Sequence, residues 1–209
     1  MISVLQTVYQ TNNDSPIIRV GDSCTDVIIF MCYSFSKKFF GYSVRIPAQQ
    51  ACEERDMAID KVREFFAGTE LEGKIMEADE SSATVELAAH AFHTEPDRIA
   101  KSLSFLQDET PVLVIASGLS RVDNRKYKDQ FKMKAKMIPF EEVEGYIGHA
   151  PGGVCPFAVN EGVKVYLDVS LKKYETVFPA AGSSNSAIEM TIPQMEKYTG
   201  SLGWIDVCK

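Results

Sequence analysis

A chain of 209 residues with 45% hydrophobic and 24% charged residues can bury one sizeable core, which excludes a disordered or fibrous protein. A formal net charge of −7 disfavours non-specific nucleic-acid binding through the overall field, so any nucleic acid must meet a local basic patch. Cys24, Cys32, Cys52, Cys155 and Cys208 form an odd set with no C-x-x-C pair, which argues against a disulfide framework or a zinc ribbon and fits a reducing cytoplasm.

Residues 1–56 hold scattered apolar runs and the turn-rich "TNNDSP" but no helical or alternating period. Their longest apolar run, residues 27–33, is far short of the ~20 residues that span a bilayer, and the N-terminus lacks a basic signal region. Neither export nor membrane insertion is implied. This stretch is expected to be a weakly packed N-terminal extension of unknown role.

From Met57 the pattern becomes regular. Ile59, Val62 and Phe66 make one apolar helical stripe, stopped by Gly68. "KIMEA" reads as a strand, "TVELAAHAF" as a helix capped by Thr84, and "TEPDRIA" as a short helix with Thr94 capping and Pro96 in its first turn. Strands follow at "KSLSFL" and "PVLVIAS", then helices at "NRKYKDQF" and "PFEEVEGYI". "VKVYLDV", "ETVFPA", "SAIEMTI" and "WIDV" read as strands, and "PQMEKYT" as a helix opened by Pro193. Short connections among mixed elements predict a single α/β or α+β domain over 57–209.

Strand parity puts Lys101 with Leu103 and Phe105 on the more apolar face, opposite Ser102, Ser104 and Leu106. A lysine there is either partly desolvated, with a job, or frayed and snorkelling into water. "GHAPGGVCPF" (148–157) is open to three readings: a nucleophile loop around Cys155 and His149, a metal loop, or stiffened backbone that presents amides to a small ligand. The cysteine reading needs a cation, a helix N-terminus or a placed base, none of which a pattern supplies. His90 and His93 lie on one helix face without a third metal ligand. "NRKYKDQFKMKAK" concentrates Arg125, Lys126, Lys128, Lys132, Lys134 and Lys136 around one acid, Asp129, as either a phosphate-binding strip or a solvated face. "GSSNSA" (182–187) is either a donor loop or a plain turn.

In order and spacing, "SSATVELAAHAF", "EPDRIAKSLSF", "GHAPGGVCPF", "VYLDVSL" and "FPAAGSSNSAIEM" resemble the YbaK/EbsC family of free-standing aminoacyl-tRNA editing domains, relatives of the editing insertion of bacterial prolyl-tRNA synthetases. The resemblance implies a mixed-sheet, barrel-like domain with surrounding helices over 57–209. It implies a cytoplasmic deacylase, free of metal and cofactor, that hydrolyses the ester of a small amino acid, cysteine or alanine, on tRNA(Pro). Its partners would be the mischarged tRNA and prolyl-tRNA synthetase.

In that family the lysine of the R-I-A-K motif is central, here Lys101, followed by Ser102 where threonine is usual. Gly152, Gly153 and Pro156 of the glycine-rich loop, with Asp168, Gly182 and Ser183, fall on further substrate-binding positions. Independently of the resemblance, the charge density of the basic segment makes Arg125, Lys126 and Lys128 the expected tRNA contacts, with a solvated helix face as the alternative. Two other readings stay open: a Cys155-dependent hydrolase, and a non-catalytic tRNA- or synthetase-binding module.

Overall fold

The computed structural model describes residues 58–79, 82 and 84–209, all within the compact unit Arg55–Lys209. The extension expected over 1–56 lies outside the described residues. No helix among them is long and apolar enough to cross a membrane.

The fold is built on one long hairpin. β2 (Ile99–Gln107) and β3 (Thr110–Ser117) pair antiparallel without interruption from Ala100↔Ser117 to Gln107↔Thr110. Asp108 and Glu109 close it with φ of 44° and 68°, the doubly positive geometry that matches the twist of a two-residue hairpin. Val112 to Ala116 of β3 are wholly buried, as a strand covered on both faces requires. Leu113 and Ile115 face one core, with Val62 and Phe66. Val112, Val114 and Ala116 face the other, with Phe105 and Tyr127.

The remaining strands extend this hairpin. β4 (Lys164–Asp168) runs parallel to β3, and β8 (Trp204–Ile205) parallel to β4. On the other side β5 (Thr176–Pro179) runs parallel to β2 and carries β7 (Met190–Thr191). The six-stranded order is therefore β7-β5-β2-β3-β4-β8. A two-stranded sheet of β1 (Ile75–Glu77) and β6 (Ser186–Ile188) is tied to it by the Ala180↔Ala187 bridge. The result is a curled half-barrel with helices around it, the mixed-sheet class expected from the sequence.

Helix α1 spans residues 58–66 and buries the expected stripe of Ile59, Val62 and Phe66. Gly68 follows it with φ +73°. α2 (Val85–Ala91) is capped by Thr84, whose side chain accepts from the Leu87 N–H, and α3 (Asn124–Phe131) by Asp123, which accepts from Arg125 and Lys126. α4 (Val143–Ile147) follows a 3-10 turn at Phe140–Glu142. α5 (Ile192–Tyr198) opens with a reciprocal Thr191–Gln194 cap.

Two expectations are corrected. The short helix at "TEPDRIA" is a 3-10 turn, Pro96–Arg98, with Glu95 at its cap position and no side-chain cap bond. Thr94 does not cap it, and its hydroxyl is buried without a partner. Pro96 at the first helical position moves the start one residue past the threonine. The single strand expected at "SAIEMTI" is divided, because Ser186–Ile188 pairs with β1 while Met190–Thr191 pairs with β5.

Two glycines give opposite expectations. A Cβ on Gly118 would lie 1.9 Å from the Pro96 carbonyl oxygen, while one on Gly145 in α4 would meet nothing. In urea denaturation Gly118→Ala should lower stability by about 2 kcal/mol or more through overpacking. Gly145→Ala should raise it by about 1 kcal/mol or less through helix propensity.

Candidate active site

The edge of β2 opposite β3 is covered at both ends and bare in the middle. At one end Ile99 and Ala100 pair with β5. At the other, the Ser104 carbonyl accepts from Ile138 N–H (3.1 Å) and Leu106 N–H donates to the Lys136 carbonyl (2.8 Å). A residue's N–H and C=O point to the same side of a strand and alternate along it. Ser102 therefore turns its backbone groups into the gap, in phase with Ser104 and Leu106.

Above this gap lies a cleft of about 430 Å³, with Ala100, Lys101, Ser102 and Ser104 among its lining residues. Ala88 of α2 and Phe92 just after it, Ile138 and Phe140, Val154 of the glycine-rich loop, and Phe178 supply apolar surface. Hydroxyls from Ser82, Thr84 and Ser186 add to those of Ser102 and Ser104. The Ser102 hydroxyl is buried without a hydrogen-bond partner, a state that costs about 1–3 kcal/mol unless something else fills it.

Lys101 lines the cleft but its ammonium is tethered, donating to the Gly118 carbonyl (2.8 Å) and to that of Ser120. Burial lowers its pKa, and Arg121 adds to this while Asp97 opposes it. Two of its three N–H donors are thus engaged. The accepting loop is itself fixed by Asp97: Ser117 Oγ donates to the Asp97 carbonyl (2.8 Å) and carboxylate, and Leu119 N–H to the carboxylate (3.2 Å). Tyr174 donates to the second carboxylate oxygen. Burial pushes the Asp97 carboxyl up, and these donors hold it below its ordinary value. The sequence reading did not single out Asp97, because its partners Ser117, Leu119 and Tyr174 lie 20 or more residues away.

The glycine-rich loop has a front and a back. Gly152, at φ +93°, lines the cleft with Pro151 and Val154. Gly153 packs behind it: a Cβ there would come within 2.6 Å of the Gly182 carbonyl and 2.8 Å of Ser183 Cα. Its N–H already donates to Ala150. Gly182 in turn (φ +96°) sits 2.7 Å in the same sense from the Ala58 carbonyl of α1, and Ser183 donates to Asn185 and Ser186. Pro156 is buried. Gly153, Pro156, Gly182 and Ser183 therefore stand outside the lining and shape the wall from behind.

Asp168 is placed elsewhere. It is fully buried, accepting from Ser170 N–H (2.9 Å) on one oxygen and from Val207 (2.9 Å) and Cys208 (3.2 Å) on the other. It pins the segment after β8 to the end of β4 and does not line the cleft. Arg125, Lys126 and Lys128 also lie outside the lining. Lys126 is paired with Asp206 at 2.7 Å, whereas Arg125 and Lys128 are exposed. Among the described residues no cluster of three His, Cys, Asp or Glu side chains could hold a metal.

Cys155 and His149 do touch, with Sγ 3.5 Å from Nε2, and both contact the Phe157 carbonyl, Nε2 at 2.7 Å. Both are fully buried. Burial pushes the Cys155 thiol up to about 12 and lowers the histidine's pKa, so the pair is neutral. Neither residue lines the cleft. Cys155 in the folded protein at pH 7.5 should resist iodoacetamide and react once the chain is unfolded, as read by peptide mass mapping. Rapid native alkylation at Cys155 would restore the nucleophile reading.

Comparisons with known proteins identify the family and the fold. The aminoacyl-tRNA editing domain family matches residues 79–198. The chain is 46% identical over 154 residues to the uncharacterized protein YwhH of Bacillus subtilis (strain 168), spanning 73% of this chain and 98% of that protein. It is 22% identical over 125 residues to a proline–tRNA ligase of Lactiplantibacillus plantarum, 59% of this chain but 22% of the ligase. A solved structure described as a candidate trans-editing enzyme for prolyl tRNA synthetase matches with a TM-score of 0.63 and 27% identity, covering 76% of this chain and 97% of the other. The hypothetical protein APE2540 shares the fold at a TM-score of 0.64 and 22% identity, over 71% and 99% of the two chains. By the family match and the extent of its similarity to YwhH, the chain belongs to the aminoacyl-tRNA editing domain family.

Proposed function

We propose that the protein is a free-standing deacylase that hydrolyses the ester of a small amino acid, cysteine or alanine, wrongly attached to tRNA(Pro). The observation that carries this reading is the unpaired, buried hydroxyl of Ser102 in a small cleft, beside Gly152 and the tethered Lys101. The similarity to a proline–tRNA ligase and to a candidate trans-editing enzyme for prolyl tRNA synthetase supports the choice of tRNA.

An aminoacyl ester is already activated, so orientation and charge stabilisation suffice without a protein nucleophile. Ser102 supplies a hydroxyl and, from its strand position, a backbone N–H and C=O to hold the aminoacyl group. Gly152 lets backbone approach the ester. The Gly153 amide is committed to Ala150, so the loop's contribution falls to Gly152. The third N–H of Lys101 supplies positive charge for the carbonyl or the terminal phosphate. Water attacks the carbonyl carbon, the ester C–O bond breaks, and the ribose hydroxyl leaves with a proton. For a cysteinyl substrate its own thiol can replace water, closing a thiolactone as the same bond breaks.

Selectivity is steric. An apolar pocket separates residues that differ by one methylene by only about 1–3 kcal/mol, so large side chains must be excluded by the walls of Phe92, Ile138 and Phe178. The acidic overall balance makes weak tRNA affinity the expectation, supplemented by prolyl-tRNA synthetase as partner.

The test is release of amino acid from Cys- and Ala-tRNA(Pro), with Ser- and Thr-charged tRNAs as controls. The wild type should turn over one of the first pair. Lys101→Ala should abolish turnover, Ser102→Ala should lower kcat/KM by about 10- to 100-fold, and Cys155→Ser should largely keep it. A folded wild type inert on every substrate, or full activity in Lys101→Ala, contradicts the proposal.

A further inference from the structure

We propose that the segment from Lys134 to Phe140 is a docking strip for the single-stranded 3′ end of the substrate RNA: Lys134 and Lys136 meet its last phosphates, and Phe140 stacks its terminal base. This rests on the editing reading, because it assigns a partner to the same cleft.

The strip begins where α3 ends, at Lys132 in the left-handed conformation (φ 61°). Beyond it the chain alternates: Lys132, Lys134 and Lys136 are exposed, whereas Met133 and Ala135 are half-buried and Ala135 packs on the second core. That period of two places the Lys134 and Lys136 side chains on one side, about 6.6 Å apart along the backbone, a spacing suited to successive phosphates. The Lys132 ammonium is turned back onto the Asp129 carbonyl at 2.6 Å. Lys134 and Lys136, with Arg125 and Lys128 upstream, take part in none of the ion pairs among the described residues.

Leu106, Ser104 and Phe105 then clamp 136–138 against the edge of β2, which carries the lysine strip directly to the cleft. At that rim Met137 and Phe140 line the cleft yet remain 59% and 75% exposed. Pro139 and the 3-10 turn after it hold the ring at the surface. An exposed aromatic at the end of a cationic track is a stacking platform for a base.

The charge changes sign immediately afterwards, at the exposed carboxylates of Glu141, Glu142 and Glu144. A polyanion crossing Phe140 would meet them, so the strip favours a strand that stops there. The order of cation, apolar ring and carboxylate fits an end with no phosphate beyond its last nucleoside, and the last ribose of such a strand lies beside Ser102.

The experiment is fluorescence anisotropy of the full chain with a 5′-labelled single-stranded RNA hexamer ending in CCA, over a salt series. The same hexamer bearing a 3′-phosphate is the comparison. Wild type should bind the hydroxyl-ended RNA more tightly than the phosphate-ended one. Phe140→Ala should weaken binding by about tenfold. Lys134→Gln with Lys136→Gln should reduce the salt slope by about 1.4. Leu202→Ala, which removes an exposed apolar side chain elsewhere, should change nothing.

Unaltered binding in Phe140→Ala, an unaltered salt slope, equal affinity for both ends, or no binding by the wild type overturns the strip. In deacylation assays both strip variants should raise KM and leave kcat alone. The two readings fail separately: strip-dependent RNA binding without turnover of any mischarged tRNA would remove the editing reading, and turnover with unaltered KM in the variants would remove the strip.

Discussion

Everything about the cleft depends on the register of β2 against β3. Eight consecutive pairs lock the two strands, and the alternation of β2 sends Leu103 and Phe105 into the second core while Ser102 and Ser104 line the cleft. A slip by one residue would exchange the two sets, burying serines among Val112, Val114 and Tyr127 and filling the cleft with Phe105. The hydrophobic face thus fixes where two hydroxyls must appear. The bare stretch of edge between β5 and residues 136–138 then turns one residue of that strand, Ser102, toward anything that enters.

Around this floor the remaining polar side chains act by holding backbone. Asp97 fixes the loop whose carbonyls tether Lys101. Asp168 holds Val207 and Cys208. The contact between Gly153 and Gly182, with Gly182 in turn against α1, sets the depth of the glycine-rich wall. Each of these contacts is too close for a Cβ. The loop is therefore shaped backbone, and its cysteine and histidine are interior packing that shares the Phe157 carbonyl.

Much of this was legible in the sequence, and the misses have physical causes. The stripe of Ile59, Val62 and Phe66 reads directly because helical spacing and burial are one signal. The break inside "SAIEMTI" does not, since it arises from pairing with two different sheets. Lys101, Ser102 and Gly152 were named from the resemblance, and the structure brings them to one cleft. The same resemblance also named Asp168, whose carboxylate is occupied by backbone amides far along the chain, a fact no local pattern carries. Parity placed Lys101 on the apolar face, and its ammonium is held by the Gly118 and Ser120 carbonyls just past the end of β3. Met137 and Phe140 were not singled out, Phe140 falling inside the helix expected at "PFEEVEGYI", because exposure at a rim is set by tertiary packing.

The central claim is that Ser102 and Gly152 receive the aminoacyl group. The most direct measurement is a crystal structure of the full chain with adenosine whose 3′-oxygen is replaced by nitrogen and acylated with alanine, an amide that resists hydrolysis. The account predicts the acyl carbonyl or α-amino group within hydrogen-bond distance of Ser102, with its methyl group against the apolar walls and Gly152 backbone alongside. An acyl group seated against Cys155 and His149, or bound away from Ser102 and Gly152, would contradict it.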